Sequence, residues 1–280
     1  MTMLQADERA LQLARVLDGA RKQTLIMGIL NVTPDSFSDG GQHANLGDAT
    51  ARARVMEDEG ADIIDVGGES TRPGAVPVSE ADELARVIPV VEALASAGGL
   101  PVSIDTYKAS VARAAAEKGA VILNDVSGLS DPDMIAAAAE TGSALVITYN
   151  RGETDEACDV AHDMPAFFEA ALAACEAGGL NPKHVILDPG VGFSKTYRQN
   201  YLVMAHLGAL RAFDLPVLVG VSRKSLIGKR TGASKSKRLP GTIAAGLHGV
   251  MNGARILRVH DVSEHRQALS VWEGLEDAAD

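Results

Sequence analysis

Asp105, Asn124 and Asp188 each stand where a short apolar run ends. A carboxylate accepts two hydrogen bonds from an N–C–N edge, and an amide both donates and accepts. Such a set in a confined pocket suits a flat heterocycle with amidine-like N–H donors. Plainer alternatives exist: a turn cap before Pro189-Gly190 for Asp188, and an Asx turn before Asp125 for Asn124. A second set suits an anion. Arg72 lies in the glycine-rich stretch GGESTRPGA, Arg223 and Lys224 follow the seventh apolar run, and Arg258 and His260 lie at the eighth. Two arginines and a histidine match a diphosphate better than a carboxylate. Asn31 adds an oxygen ligand suited to Mg²⁺, which binds phosphates while keeping most of its waters.

The elements that must position these groups follow from the apolar pattern. Eight short runs rich in β-branched residues recur at 25–30, 63–66, 102–104, 121–123, 145–147, 185–187, 217–219 and 256–259. Ala-rich amphipathic stretches such as ATARARVMEDEG, ASVARAAAEKGA and MPAFFEAALAACEAGG lie between them and read as helices, several closed by glycine. Strand alternating with helix means parallel βαβ units, and eight of them predict an α/β fold, a (β/α)8 TIM barrel. A doubly wound open sheet is the alternative. The barrel places chemistry at the C-terminal strand ends, where polar groups cluster: Asn31, Gly67 to Ser70, Asp105, Asn124 with Asp125, Thr148 with Asn150, Asp188, Ser222 to Lys224, and His260 with Asp261. The loops NVTPDSFSDGG and GGESTRPGA have a composition that suits mobile lids, and suits plain turns equally.

Composition narrows the classes. The 280 residues are 46% hydrophobic and 22% charged, ordinary for a chain that buries a core. Without a long linker, the expectation is a single barrel domain over 1–280, with 1–22 as an N-terminal helical extension. Lys plus Arg is 26 against 37 Asp plus Glu, a net charge of −11 that disfavours a nucleic-acid partner. The basic run 223–238 is otherwise a solvated loop. No apolar stretch reaches membrane-spanning length, and the N-terminus lacks the apolar core of a signal peptide, so a cytoplasmic, membrane-free protein is expected. Two cysteines exclude a disulfide framework. No P-loop, nucleophile elbow, dinucleotide fingerprint or zinc spacing is present.

The motifs are also similar to those of a known family. MGILNVTPDSFSDGG (27–41) and GADIIDVGGESTRPGA (60–75) resemble two signatures of the dihydropteroate synthases. SIDTYK, NDVSG, LDPGVGFSKT, GVSRKSLIG, GTIAAG and RVHDV extend the resemblance over residues 25–262. It implies a pterin-binding (β/α)8 barrel, commonly a homodimer. The implied reaction joins 7,8-dihydropterin hydroxymethyl diphosphate to 4-aminobenzoate, giving dihydropteroate and diphosphate. By matching positions, Asp105, Asn124, Asp188, Lys224 and Arg258 would hold the pterin, and Asn31, Arg72, Arg258 and His260 the diphosphate and Mg²⁺. Thr71, Pro73, Phe193 and Ser225 would border the aminobenzoate, where sulfonamides compete. The catalytic expectation rests on Asp105, Lys224, Arg258 and His260. One stretch departs: where the family reads Met-His followed by Asn or Met, this chain has Thr148-Tyr149-Asn150-Arg151-Gly152. That is either drift with an adjusted pocket wall or the mark of a pterin-binding paralogue with weakened or different activity. A methyltetrahydrofolate methyltransferase-like enzyme shares the pocket groups but lacks the STRPG and SRKS loops seen here.

Overall fold

The computed structural model describes residues 3–32, 42–70 and 76–278. Eight parallel strands form one sheet: β1 (Leu25–Asn31), β2 (Ile63–Gly67), β3 (Val102–Asp105), β4 (Ile122–Asp125), β5 (Ala144–Thr148), β6 (Val185–Asp188), β7 (Leu218–Val219) and β8 (Ile256–Val259). Their order is β6-β5-β4-β3-β2-β1-β8-β7. A single parallel bridge, Leu187 to Val217, joins β6 to the start of β7 and closes the barrel. The predicted barrel is therefore the fold, and the open-sheet alternative falls.

Eleven α-helices are present among the described residues. α1 (Met3–Leu17) and α2 (Gly19–Lys22) precede the barrel; α3 (Gln42–Asp58), α4 (Glu80–Ser96), α5 (Ala109–Glu117), α6 (Met134–Thr141), α7 (Val160–Ala177), α8 (Tyr197–Ala205), α9 (Ser225–Thr231), α10 (Leu239–Met251) and α11 (Val262–Asp277) follow their strands. Local signals set several boundaries. Ser79 caps α4 by accepting from the Asp82 N–H at 3.1 Å, and acidic residues fill that first turn. Thr196 and Gln199 form a reciprocal capping box on α8.

Side chains alternate across each strand, and the alternation divides the core in two. Ile26, Ile64, Ile104, Leu123, Ile147, Leu187, Val219 and Leu257 face outward and pack under the helices. Leu25, Met27, Ile63, Ile122, Val146, Ile186, Leu218 and Ile256 face inward, with Leu13, Val16 and Ala20 of α1 and α2 closing the bottom. Arg9 fastens that closure. Its guanidinium donates to the carbonyls of Thr141 (3.0 Å), Ala116 (3.0 Å) and Ala120 (2.8 Å) and to the Ser143 hydroxyl (2.5 Å). A cavity of about 760 Å³ opens beside it, lined among others by Gln12, Leu100, Arg113 and Lys118. It lies at the end away from the polar strand ends. No helix among the described residues is long and apolar enough to cross a membrane.

Candidate active site

Continued upward, the inward rows change from apolar to polar. The β2 row passes from Ile63 to Asp65, the β4 row from Ile122 to Asn124, the β6 row from Ile186 to Asp188, and the β8 row from Ile256 to Arg258. A period of two forces this: each polar residue sits two positions past an inward apolar one.

At the centre is Arg258. Its Nε donates to Asp65 Oδ2 at 2.6 Å and its Nη2 to Asp105 Oδ2 at 2.5 Å. Asn124 Nδ2 donates to the same Asp65 oxygen at 3.2 Å. Three acceptors of this cluster are buried without a hydrogen-bond partner among the described residues: Asp65 Oδ1, Asp105 Oδ1 and Asn124 Oδ1. Burial raises the Asp105 carboxyl above the usual carboxylate range, and neighbouring Asp65 raises it further against the pull of Arg258. The two carboxylates hold the Arg258 guanidinium above its ordinary value despite its burial.

A second group stands across the mouth. A Cβ built on Gly220 would lie 3.9 Å from Lys224 Nζ and 4.0 Å from both Asp188 Oδ2 and Arg258 Cβ. The glycine thus keeps open the space these three share. Lys224 Nζ donates to the Val191 carbonyl and sits 4.6 Å from the centre of the Phe193 ring. Burial pushes its ammonium down to about 8, with Asp188 opposing and Arg258 reinforcing the shift. Burial also raises the Asp188 carboxyl, opposed chiefly by Lys224 and by the Gly190 N–H at 2.8 Å.

His260 Nδ1 lies 2.9 Å from Ser222 Oγ, which also accepts the His260 backbone N–H at 3.2 Å. Burial and then Arg258 lower this imidazole to about 4, so the ring is neutral near pH 7. Asn31 is half-buried at the end of β1; a Cβ on Gly67 would lie 3.9 Å from its Oδ1 and 3.7 Å from Asp105 Oδ2. Ser225 is exposed at the first position of α9, next to Lys224. Thr71, Arg72 and Pro73 lie outside the described residues. Before them in the chain, Glu69 is held: Lys108 Nζ bridges Glu69 and Glu83 at 2.5 Å each, and Tyr107 donates to Glu69 at 2.8 Å.

The structure brings Asp105, Asn124, Asp188, Lys224 and Arg258 to one mouth, with Phe193 against Lys224 and His260 at the β8 end. One expectation needs correcting. Arg223 does not join Lys224 at an anion; its Nε binds Asp261 Oδ2 at 3.0 Å, and its backbone is left-handed at φ +56°. Two participants went unread. Asp65 hid inside the apolar run GADIIDVGG, although a lone inward carboxylate in such a run is a signal. Lys195 hid in a loop. Its Nζ donates to the carbonyls of Tyr149, Gly190 (3.1 Å) and Phe193 (3.2 Å), so it ties the β5 end to the Phe193 loop. Gly190 is required there: its φ is +66°, and a Cβ would lie 2.1 Å from the Tyr149 carbonyl oxygen.

Residues 27–260 match the family model described as Pterin binding enzyme. The Escherichia coli K12 protein named dihydropteroate synthase is 47% identical over 254 residues, covering 89% of this chain and 90% of that protein. A Clostridium difficile dihydropteroate synthase structure determined in the presence of pteroic acid superposes with a TM-score of 0.87 at 44% identity, over 91% of this chain and 97% of that one. A Xanthomonas albilineans dihydropteroate synthase structure with 4-aminobenzoic acid gives 0.87 at 42% identity, over 91% and 94%.

Proposed function

The chain belongs to the pterin binding enzyme family and, within it, to the dihydropteroate synthases of folate biosynthesis; on that premise we propose how its residues divide the reaction. The substrates are 7,8-dihydropterin hydroxymethyl diphosphate and 4-aminobenzoate, and the products dihydropteroate and diphosphate. One observation carries the reading. Among the described residues, buried acceptor oxygens on Asp65, Asp105 and Asn124 lack partners, at the strand ends where Lys224, Asp188 and Arg258 also meet. An N–H-rich flat ring supplies the donors those oxygens lack.

Asp105, Asn124, Asp188, Lys224 and Arg258 hold the pterin. Asn31, Arg72, Arg258 and His260 receive the diphosphate, and Thr71, Pro73, Phe193 and Ser225 border the aminobenzoate. The C–O bond at the pterin methylene breaks first, and its electron pair leaves with the diphosphate. The carbocation left behind is delocalised onto the ring nitrogens. With both ionised, Asp65 and Asp105 outnumber the guanidinium between them and their field favours that cation, most fully above the raised Asp105 value of about 7. The arylamine lone pair then forms the C–N bond, and the nitrogen releases its proton without needing a strong base. Neutral His260 serves the leaving group as a hydrogen-bond donor in the tautomer that carries its proton on Nε2, in which Nδ1 accepts from the Ser222 hydroxyl 2.9 Å away.

No group of three or more His, Cys, Asp or Glu side chains among the described residues could hold a metal ion, and Asn31 offers one neutral amide oxygen. That donor set fits Mg²⁺ bound mainly through diphosphate and water, where the ion would neutralise charge on the leaving group. We place the enzyme in the cytoplasm as a homodimer. Light scattering should give twice the 29.2 kDa chain mass, and a monomer mass would overturn the dimer.

The test is diphosphate release with Mg²⁺ and the pterin diphosphate, with and without 4-aminobenzoate. Dihydropteroate formed only with both substrates is the expected result. Pterin binding without product would instead establish a pterin-binding paralogue. A sulfonamide should inhibit competitively against aminobenzoate; full activity at limiting aminobenzoate would remove Phe193 and Ser225 from that pocket.

A further inference from the structure

Thr148 ends β5 with its side chain directed into the barrel. Val146, two residues earlier, belongs to the interior core, whereas Ile147 and Tyr149 on either side of Thr148 belong to the outer shell. Tyr149 is accounted for: its hydroxyl donates to Asp163 at 2.6 Å, and its ring packs edge-on against Phe167. Thr148 is not. It is fully buried, and its Oγ1 has no hydrogen-bond partner among the described residues. Valine has the same shape and would leave nothing unpaired, so a buried hydroxyl here destabilises the free protein relative to that alternative.

Its position says what the hydroxyl faces. Thr148 is in register with Asp188 on β6, and on the other side of β5 the residue two before it, Val146, is in register with Asn124 on β4. The unpartnered hydroxyl therefore stands on the same interior wall as two of the side chains assigned to the pterin, on the level of Asp188. Ser103, the other unpartnered interior hydroxyl among the described residues, lies deeper, in register with Asp65.

We propose that Thr148 is a specificity-determining residue for the pterin, with its hydroxyl hydrogen-bonded to the ring edge beside Asp188. The inference rests on the reading of this mouth as the pterin pocket. A hydroxyl both donates and accepts, so it can serve a ring N–H or a ring nitrogen or oxygen. The Thr148-Tyr149 pair then has two separate roles: Thr148 touches the substrate, and Tyr149 ties the strand end outward to α7.

Thr148→Val keeps the shape and removes the hydroxyl; Thr148→Ser keeps the hydroxyl and removes the methyl. Calorimetry with 7,8-dihydropterin hydroxymethyl diphosphate should show Thr148→Val binding roughly three- to tenfold more weakly, and Thr148→Ser close to wild type. The Tm of unliganded Thr148→Val should equal or exceed wild type, and the KM for aminobenzoate should stay within about twofold. A purely structural hydroxyl would lower the Tm and leave pterin affinity alone. Pterin affinity of Thr148→Val equal to wild type overturns the proposal. Should Thr148→Val fail to fold, Thr148→Ala against Thr148→Ser gives the same contrast. Wild-type protein that binds the pterin without making product overturns the synthase reading and still scores the proposal; wild-type protein that does not bind the pterin overturns both.

Discussion

Two arginines anchor the two ends of this barrel, and they are used in opposite ways. Arg9 at the bottom gives its donors to neutral acceptors, three carbonyls and a serine hydroxyl. Arg258 at the top gives its donors to two buried carboxylates, each of which keeps an oxygen unpaired among the described residues. The first arrangement is complete and holds α1 against the barrel. The second leaves acceptors open among the described residues, which are the groups proposed above to meet the pterin. Unpaired acceptors cost stability when buried. Asp65, Asp105, Asn124 and Thr148 keep such acceptors on the inward rows near the mouth, and Gln12 and Glu59 keep one each elsewhere.

Perturbations at each end would break or sharpen that contrast. The largest effect belongs to Arg258→Met. It strands Asp65 and Asp105 without their counter-charge, so unfolding stability should drop by roughly 3–5 kcal/mol and turnover should be abolished. Retention of both would mean the trio is not the centre of the site. Next come Asp188→Asn and Lys224→Ala. Each removes one charged partner from the space above Gly220, and pterin Kd should rise roughly tenfold to a hundredfold with the fold intact. Unchanged pterin titrations would detach these residues from the ring.

Arg9→Ala should act on stability alone, lowering it by roughly 1–3 kcal/mol while kcat and KM stay near wild type. A comparable loss of activity would show the two ends to be coupled. The smallest effects are those of pH. The Lys224 ammonium is lost as pH rises through about 8, so kcat/KM for the pterin should fall on that alkaline limb. The His260 imidazole is lowered from 6.5 to about 4 in the fold, so the unfolded chain binds its proton more readily. Stability should therefore rise with pH between those values, and His260→Gln should flatten that slope. Urea midpoints that show the same slope in both proteins would rule out this contribution.

The fold was legible because the barrel repeats one signal eight times. Each apolar run predicted from sequence lies on an observed strand, and the ends differ by at most two residues; Val217, just before β7, bridges to Leu187 of β6. Polar residues just past the runs were legible because an abrupt change of polarity is itself a signal. Asp65 was not, because a single carboxylate inside Ile63-Ile64-Asp65-Val66 does not disturb the apolar average, and only its inward phase shows its role. Lys195 was not, because it acts on backbone carbonyls, which every sequence has. Arg223 misled because a run of basic residues does not say which of them already has an acidic partner; Asp261 takes it. The segment 71–75 holds three of the aminobenzoate and diphosphate expectations and lies outside the described residues.

The barrel's closure has a further consequence. Seven of its neighbouring strand pairs are joined by ladders, and the eighth meets at one bridge. The hoop thus has a clasp, which sits between the strand bearing Asp188 and the strand leading to Lys224. That seam has the fewest backbone pairings among the described strands, and the groups on its two sides, Asp188 and Lys224, are two of those proposed to hold the pterin. Asp65 on β2 and Asp105 on β3 lie on the arc away from that seam, and Arg258 on β8, one strand from it, spans the two.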